Sequence, residues 1–270
     1  MLADFFNRDK RALNTPLRSW PGQRVWIIGA SSGIGAALAV QLLEAGATVA
    51  LSARRAGSLQ QVAAGRPRAI VLPFDAQDDA SWKSASEQIT AQCGGVDLII
   101  FCAAQYRPEH IWEVDPATAR LTLQVNLGSI YSGLATILPA MLQRGQGGIA
   151  LVASVAGYMG LPKASVYGPS KAGMINLAEN LYGDLHPKGI NVYLINPGFV
   201  DTGLTQKNSF AMPALQTPEQ ASASILRGFA AGQFEIHFPK RFTQMVKLVR
   251  LLPYRLRFYL FNRYLYDPTQ

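Results

Sequence analysis

Cysteine is scarce in this chain of 270 residues, and its two cysteines form no recognisable cluster. Cys93 and Cys102 belong to no Cys-x-x-Cys pair, and no group of histidines lies beside them in the sequence. Disulfide scaffolds and structural zinc sites both depend on such clusters, so neither is indicated. We therefore expect a chain that binds no metal and works in a reducing compartment.

Long uninterrupted apolar runs are missing as well. The first 23 residues place acids and bases among their apolar residues, which leaves no core of signal-peptide length. No stretch reaches the roughly 18 uncharged apolar residues expected of a membrane-spanning helix. These absences argue against secretion and against a spanning segment, and they favour a cytoplasmic location.

Acidic residues are nearly absent from the end of the chain. The formal net charge is +8, but residues 1–239 hold 18 Lys and Arg against 16 Asp and Glu, whereas residues 240–270 hold 7 against the single Asp267. The body of the chain is thus nearly neutral, which argues against a nucleic-acid-binding surface on it. Because the excess charge belongs to the C-terminal segment, we expect no nucleic-acid partner.

Apolar residues, in contrast, make up 49% of the chain, enough for one large core. From about Arg24, short apolar runs alternate with longer segments of helical period, the pattern of a parallel sheet with crossover helices. The predicted strands are 24–29, 47–52, 68–73, 96–102, 147–154, 190–196 and 234–238; the predicted helices are near 34–45, 78–92, 118–143, 166–185 and 217–230. We predict an α/β fold: a single-domain, Rossmann-type, doubly wound parallel sheet of about seven strands with a C-terminal helical extension. The predicted divisions are an N-terminal extension (1–21), a dinucleotide-binding catalytic domain (22–239) and basic amphipathic helices (240–270).

Three glycines lie where the first predicted strand turns into the first helix, in the run Gly29-Ala30-Ser31-Ser32-Gly33-Ile34-Gly35. Glycine permits a tight turn and lets backbone N–H groups approach a pyrophosphate, which the positive end of the helix dipole favours. A glycine-rich turn alone can simply be a packing turn. The strand before it and the helix after it favour a dinucleotide site.

Two arginines follow the second predicted strand, in Ser52-Ala53-Arg54-Arg55. A dinucleotide fold that uses NAD normally has Asp or Glu here for the ribose 2′-OH, and no acid is present. A guanidinium at Arg54 could instead bind the extra phosphate of NADP. The alternative, two solvated arginines at a helix start, applies more to Arg55 than to Arg54.

Tyr167 and Lys171 are four residues apart in a predicted helix, so their side chains share one face. Ser154 ends the preceding strand. A tyrosine with its ordinary pKa near 10 is a poor base at neutral pH, and a nearby ammonium would favour its charged form. The pair makes chemical sense as a proton-transfer unit, although Tyr and Lys at this spacing are more often ordinary core-edge and surface residues.

Taken together, these residues resemble the short-chain dehydrogenase/reductase family over roughly residues 22–238. The motifs that match in order are Gly29, Gly33 and Gly35; Asp75; Asn126; Ser154, Tyr167 and Lys171; and the run Asn196-Pro197-Gly198-Phe199-Val200-Asp201-Thr202. The resemblance implies an NADP(H)-dependent oxidoreductase that interconverts a carbonyl and an alcohol.

The resemblance also implies a role for each matched residue. Tyr167 would transfer a proton to or from the substrate oxygen, to which Ser154 would hydrogen-bond. Lys171 would hold the nicotinamide ribose and lower the Tyr167 pKa, and Asn126 would seat a water of the proton relay. Asp75 would meet the adenine amino group; Val200 and Thr202 would meet the carboxamide. The implied cofactor-binding residues are Gly29, Ser31, Ser32, Gly33, Ile34, Gly35, Arg54, Asp75, Ala103, Tyr167, Lys171, Pro197, Gly198, Val200 and Thr202.

Two positions depart from the family pattern. Phe101-Cys102-Ala103-Ala104 stands where the family commonly has Asn-Asn-Ala-Gly, and Ile28 stands where many members have Thr. Cys102 cannot supply the hydrogen bonds of an amide, and Ala104 narrows the space beside the cofactor. Neither departure touches the four catalytic positions.

The C-terminal segment shows helical apolar spacing on both sides of Pro253, at Phe242, Met245, Val246, Val249 and Leu252 and then at Leu256, Tyr259, Leu260 and Tyr264. Basic residues interleaved with aromatics suit an anionic membrane surface, here residues 240–266; packing on the domain or on a second subunit is the equal alternative. We also expect a homodimer or homotetramer.

We predict a lipophilic small-molecule substrate, with Tyr158, Met159, Leu161, Leu204, Phe210 and Met212 as pocket candidates. Two alternatives are a cofactor-binding sensor or scaffold and a membrane-surface protein, each without turnover.

Overall fold

A computed structural model describes residues 12–208 and 212–264 of the chain. Its strands are β1 Arg24–Ile28, β2 Thr48–Ser52, β3 Ala69–Val71, β4 Leu98–Phe101, β5 Gly147–Val152, β6 Ile190–Pro197 and β7 Glu235–Phe238. The α-helices of these described ranges are α1 Gly33–Glu44, α2 Ala56–Ala63, α3 Asp79–Cys93, α4 Pro116–Leu123, α5 Ser129–Arg144, α6 Tyr167–Leu185, α7 Pro218–Ala230, α8 Lys240–Leu251 and α9 Tyr254–Tyr264.

The strands form one seven-stranded sheet in the order β3-β2-β1-β4-β5-β6-β7, and every neighbouring pair is parallel. This confirms the predicted doubly wound sheet. The chain order reverses between β1 and β4, and the carboxyl ends of strands at such a switch point form a crevice where ligands bind. The topology therefore places the glycine turn after β1 beside the loop after β4.

Apolar residues cover both faces of the sheet, as the nearly continuous apolar strands require. On one face Trp82 of α3 fills the centre, fully buried, with its ring 5.4 Å from that of Trp26 and 5.0 Å from that of Phe74. On the other face α1 covers β1 and β2 and α7 covers β6 and β7, with Leu38 and Phe229 fully buried. The two layers fix the ends of the strands, and with them the site.

Two helical segments differ from the sequence prediction. Helix α2, Ala56–Ala63, was not predicted, because it is only two turns long and Leu59 is its single buried residue. The segment predicted as one helix over 118–143 consists of α4 and α5, joined by a π-helical turn at Gln124–Gly128. Such π turns are frequent at functional sites, and this one carries Asn126.

The described residues contain one helical stretch, Pro116–Arg144, that is long and apolar enough to cross a membrane, with a mean hydropathy of 1.4 over 18 residues. This is more apolar than we expected from the sequence. Ile130, Leu134 and Ile137 of this stretch pack in the core beneath the sheet, as they would in a core helix. The stretch is therefore weak grounds for a membrane span.

The two predicted C-terminal helices are present as α8 and α9, but their apolar stripes are only partly buried. Thr243 and Val246 are the buried residues of α8, and Phe261, which the predicted stripe did not include, is the buried residue of α9. Met245 and Tyr259, which it did include, are 54% and 64% exposed. The structure thus places one side of this segment on the domain and leaves the other side open.

Candidate active site

A cavity of about 590 Å³ opens at the carboxyl ends of β1, β4, β5 and β6. It brings together most of the residues predicted from the sequence: Gly29, Ser31, Ser32, Gly33, Ile34, Arg54, Asp75, Ala103, Ser154, Tyr167, Lys171, Pro197, Gly198, Val200 and Thr202. Gly35 and Asn126 do not line the cavity; they support its wall.

The glycine turn approaches its neighbours too closely for side chains. A Cβ on Gly29, whose φ is +93°, would lie 2.5 Å from the backbone nitrogen of Ala103, and one on Gly35 would lie 2.2 Å from the carbonyl oxygen of Gly29. A Cβ on Gly33 would meet the Thr202 methyl group at 2.8 Å. The three predicted glycines are thus required by the turn itself, which leaves backbone N–H groups at the start of α1 facing the cavity.

The end of β2 presents Arg54 and Arg55 to the same cavity, and both are exposed. Neither forms an ion pair with any residue of 12–208 or 212–264. Asp75 lines the cavity nearby, and its Oδ1 accepts a hydrogen bond from the Gln77 backbone N–H at 3.1 Å. Two guanidinium groups without a carboxylate partner suit an anionic ligand group such as a phosphate.

Cys102, the departure from the family pattern, lies at the end of β4 and lines the cavity. Burial raises the pKa of its thiol to about 11, and the nearby backbone N–H of Gly35 opposes this rise. A thiol with this pKa is neutral at pH 7 and a weak nucleophile. Cys102 therefore acts here as a packing residue that ties β4 to the glycine turn.

The side chains of Ser154, Tyr167 and Lys171 meet at the inner part of the cavity. Tyr167 is the first residue of α6, and the Ser154 side chain lies beside its hydroxyl. One turn further on, Lys171 places its Nζ 5.6 Å from the centre of the Tyr167 ring. The spacing inferred from the sequence thus yields a real cluster.

Burial dominates the ionisation of both groups. It raises the pKa of Tyr167, a shift that the Ser154 hydrogen bond opposes. It lowers the pKa of Lys171 to about 8, although Nζ donates to the Val152 carbonyl oxygen at 2.8 Å. The expected lowering of the Tyr167 pKa by Lys171 is not seen: desolvation is the largest cause of the shift, and Lys171 does not contribute to it. Tyr167 is therefore a neutral phenol, which can donate a proton.

Asn126 is buried in the π turn, and its side chain is fully engaged. Its Oδ1 accepts from the Gln105 backbone N–H at 2.7 Å, and its Nδ2 donates to the Gln105 carbonyl oxygen and to Ser170 Oγ at 3.0 and 2.9 Å. Ser170 Oγ in turn donates to the carbonyl oxygen of Tyr167. The Asn126 carboxamide thus fixes the loop after β4 against the helix that carries Tyr167, and its role in holding a water stays a prediction.

The segment after β6 closes the cavity on its far side. The Gly198 N–H donates to the Phe238 carbonyl oxygen at 2.7 Å, which holds the Pro197-Gly198 turn against β7. The Thr202 N–H donates to Thr205 Oγ1 at 3.0 Å, and Val200 is buried. These contacts make a wall of the cavity that adjoins the glycine turn at Thr202.

Sequence reasoning missed Tyr106. Its ring meets that of Tyr167 edge-on, with the ring centres 4.8 Å apart, and its hydroxyl donates to Asn208 Oδ1 at 2.6 Å. Lys207, another cavity residue, donates from Nζ to the Tyr106 carbonyl oxygen at 3.0 Å. No local pattern marks Tyr106, because its contacts with Tyr167, Lys207 and Asn208 join parts of the chain that are distant in sequence.

The pocket candidates divide into three groups. Leu204 lines the cavity, and Met212 lies beside Asn208, whose Nδ2 is 3.4 Å from its sulfur. Tyr158 is buried, with its hydroxyl turned to Glu235, and Met159 packs against the core, while Leu161 is half-buried and outside the cavity wall. Phe210 lies outside the described residues.

Comparison with known proteins supports the assignment made from these residues. The family model described as short chain dehydrogenase matches residues 23–212, well over half of the chain. An uncharacterized oxidoreductase of Myxococcus xanthus is 30% identical over 231 residues, which cover 84% of this chain and 91% of that protein. The ketoacyl reductase HetN of a Nostoc species is 29% identical over 214 residues, 76% of this chain and 75% of that protein.

Among solved structures, a short-chain dehydrogenase of Sphingobium yanoikuyae in complex with NADPH superposes with a TM-score of 0.74 at 23% identity, over 83% of this chain and 91% of that one. This likeness shows the fold. With the family model and the oxidoreductase relatives, it identifies the chain as a member of the short-chain dehydrogenase/reductase family, an oxidoreductase that uses a nicotinamide cofactor and acts on a small molecule.

Proposed function

We propose that this protein is an NADP(H)-dependent carbonyl reductase or alcohol dehydrogenase that acts on a lipophilic substrate. The observation that carries the proposal is the cavity itself, which has Ser154, Tyr167 and Lys171 at its inner part and Arg54 at the end of β2. The same cavity thus holds side chains suited to proton transfer and a guanidinium suited to phosphate binding.

The residues present fit a nicotinamide dinucleotide. The glycine turn leaves space that a Cβ would fill, and its N–H groups stand at the start of α1, where a pyrophosphate is favoured. Asp75 supplies an acceptor near the end of β3 for an adenine amino group. Arg54, exposed and without an ion-pair partner among the described residues, supports binding of a 2′-phosphate and hence a preference for NADP(H).

The proposed chemistry divides between cofactor and chain. When bound, the cofactor supplies or accepts the hydride at the substrate carbon. Tyr167 donates its hydroxyl proton to the carbonyl oxygen in reduction, and its neutral form is the one that burial favours. Ser154 Oγ hydrogen-bonds the same oxygen and orients it. Lys171 keeps a positive charge close to Tyr167, stabilising the tyrosinate that proton donation leaves behind.

The lipophilic substrate class rests on what surrounds the reacting hydroxyl. The Tyr106 ring covers one edge of Tyr167, and Val125, Ala104 and Leu204 line the cavity nearby. The HetN relative is described as a ketoacyl reductase, and an acyl chain is a substrate of this class. Gln105 and Lys207 are polar residues of the wall that could contact the carbonyl-bearing end.

The test follows NADPH absorbance with aldehydes and ketones whose aliphatic chains increase in length. We expect turnover that improves with chain length, and its loss in Tyr167→Phe. Tyr131→Phe is the matched control, because Tyr131 is an exposed tyrosine of α5. NADPH binding without turnover on any carbonyl or alcohol would instead support the sensor or scaffold alternative.

Three other expectations stay predictions: the homodimeric or homotetrameric state, the cytoplasmic location, and the domain boundaries at 21/22 and 239/240. Contacts of the N-terminal segment bear on the first boundary. Asn14 is buried and its Nδ2 donates to the Val192 carbonyl oxygen at 2.8 Å. Asn14 thus attaches this segment to β6, and the Leu17 N–H attaches it to the Phe229 carbonyl oxygen of α7.

A further inference from the structure

Helices α8 and α9 present an exposed surface in which apolar and basic side chains alternate. On α8 the exposed apolar residues Leu248 and Leu251 are 66% and 79% exposed; on α9 Phe258 and Tyr259 are 54% and 64% exposed. Exposed arginines stand among them at 241, 250, 255 and 263. We name these residues, with Met245 and Leu256, the C-terminal basic surface.

The opposite side of α8 is fully used by the domain. Lys247 forms an ion pair with Glu235 of β7, whose Oε1 also accepts from the Tyr158 hydroxyl at 2.5 Å and from Asn196 Nδ2 at 2.9 Å. Thr243 is fully buried beside His237. Because these contacts already hold α8 on the sheet, the exposed leucines are not needed for intramolecular packing.

The charge of the segment is one-sided. Residues 240–264 contain seven Lys and Arg and no Asp or Glu. Among the described residues, only Lys247 of the seven has a carboxylate partner. A surface of unpaired arginines complements an anionic partner.

The apolar residues decide which anionic partner this is. Leucines and aromatic rings interleaved with arginines suit the boundary between lipid headgroups and acyl chains, where apolar side chains insert and guanidinium groups stay at the phosphates. Nucleic acid would use the arginines and leave Leu248 and Leu251 in water. A second copy of this chain would bring the same positive charge against itself.

The surface also lies next to the cavity. Phe242, in the first turn of α8, has its ring 5.7 Å from that of Phe199 and packs over Gly198, a residue of the cavity wall. A membrane contacting α8 would therefore lie close to one wall of the cavity.

From these observations we propose that the C-terminal basic surface docks the protein reversibly on anionic membranes. The proposal goes beyond the oxidoreductase function, and its test needs no turnover, so that either can fail without the other. The full chain is floated with vesicles of phosphatidylcholine mixed with phosphatidylglycerol, and with vesicles of phosphatidylcholine alone. We expect flotation with the anionic vesicles only, weakening as salt rises, since the Debye length falls from about 10 Å at 0.1 M to about 3 Å at 1 M.

Matched variants separate the effect of the C-terminal basic surface from the effect of net charge. The triple variant Arg241→Glu, Arg255→Glu, Arg263→Glu should lower the vesicle partition coefficient at least about a hundredfold, since one basic residue near anionic lipid contributes about fivefold. The control Arg68→Glu, Lys83→Glu, Lys188→Glu makes the same charge change at exposed sites elsewhere and should bind nearly as the parent. The double variant Leu248→Ser, Leu251→Ser should weaken binding that persists at high salt.

Solution mass and thermal unfolding accompany each variant. An unchanged unfolding temperature shows that α8 remains packed on the domain. A loss of flotation then reports a loss of membrane binding by the C-terminal basic surface. If the parent chain ignored anionic vesicles at low salt, or if the control triple lost binding as fully as the test triple, the proposal would be wrong. A dimer that dissociates only in the leucine variant, without flotation of the parent, would assign the surface to a second copy of this chain.

Discussion

Replacing Lys171 with methionine should make the protein more stable while abolishing its turnover. Lys171 is 1% exposed, and burial lowers its pKa from 10.5 to about 8. The difference of about 2.5 between the two values, at about 1.36 kcal/mol each, means that holding the charged lysine in the folded state at pH 7 costs about 3 kcal/mol. Methionine fills a similar volume without charge but loses the hydrogen bond to Val152, worth about 1 kcal/mol. We expect a net gain of about 2 kcal/mol at pH 7.

The pH dependence identifies the cause. Between pH 8 and 10.5 the unfolded chain binds a proton at this lysine that the folded chain has released, so the stability of the parent rises with pH in this window relative to that of the variant. At pH 9.5 the cost has fallen to about 1.5 kcal/mol, and the advantage of Lys171→Met should shrink nearly to zero. Urea unfolding of both proteins at pH 7 and 9.5, followed by circular dichroism, measures the change, with exposed Lys83→Met as the control. A stability difference that is the same at both pH values would refute the reasoning.

Three further substitutions test the site. Tyr167→Phe should reduce turnover by about 10²- to 10⁴-fold while leaving the calorimetric affinity for NADPH nearly unchanged, since only the transferable proton is removed; wild-type turnover would contradict the assigned role. Arg54→Ala should lower the ratio of NADPH to NADH affinity by about ten- to hundredfold, whereas Arg68→Ala should not; tighter NADH binding by the parent would remove the argument. Gly35→Ala should lose about 1–3 kcal/mol of unfolding free energy and most of its NADPH affinity, because its Cβ would lie 2.2 Å from the Gly29 carbonyl oxygen; Gly57→Ala, with open space around it, is the control.

The sheet could be predicted because its signals are local, whereas the site residues were predicted from the resemblance of short motifs to the short-chain dehydrogenase/reductase family. Each strand is a short, mainly apolar run such as Arg24–Ile28. Parallel strands that are covered on both faces are recognised by such runs and not by an alternation of apolar and polar residues. The glycine turn and the Tyr167–Lys171 pair have fixed spacing within single elements. The contact of Tyr106 with Tyr167 leaves no such mark, because packing between a loop and a helix distant in the chain depends on the finished fold. The π turn at Gln124–Gly128 is equally hidden, since no spacing in the sequence distinguishes it from an α-helical turn.

The same distinction explains why the sequence of the C-terminal segment did not show which side of it packs on the domain. Amphipathic spacing shows that an apolar stripe exists, but the side that the domain covers depends on contacts with residues outside the segment, such as Glu235 and His237. Glu235 holds Lys247 of α8 and the hydroxyl of Tyr158, which lies four residues beyond Ser154. Removing the chain after Pro239 would therefore take away the Lys247 ammonium, which neutralises the half-buried Glu235 carboxylate of β7. Loss of membrane binding in such a truncation could not be separated from damage to the site. Substitutions on the exposed face of α8 and α9 leave Lys247 and Glu235 in place, and they are the changes by which docking and catalysis can be measured independently.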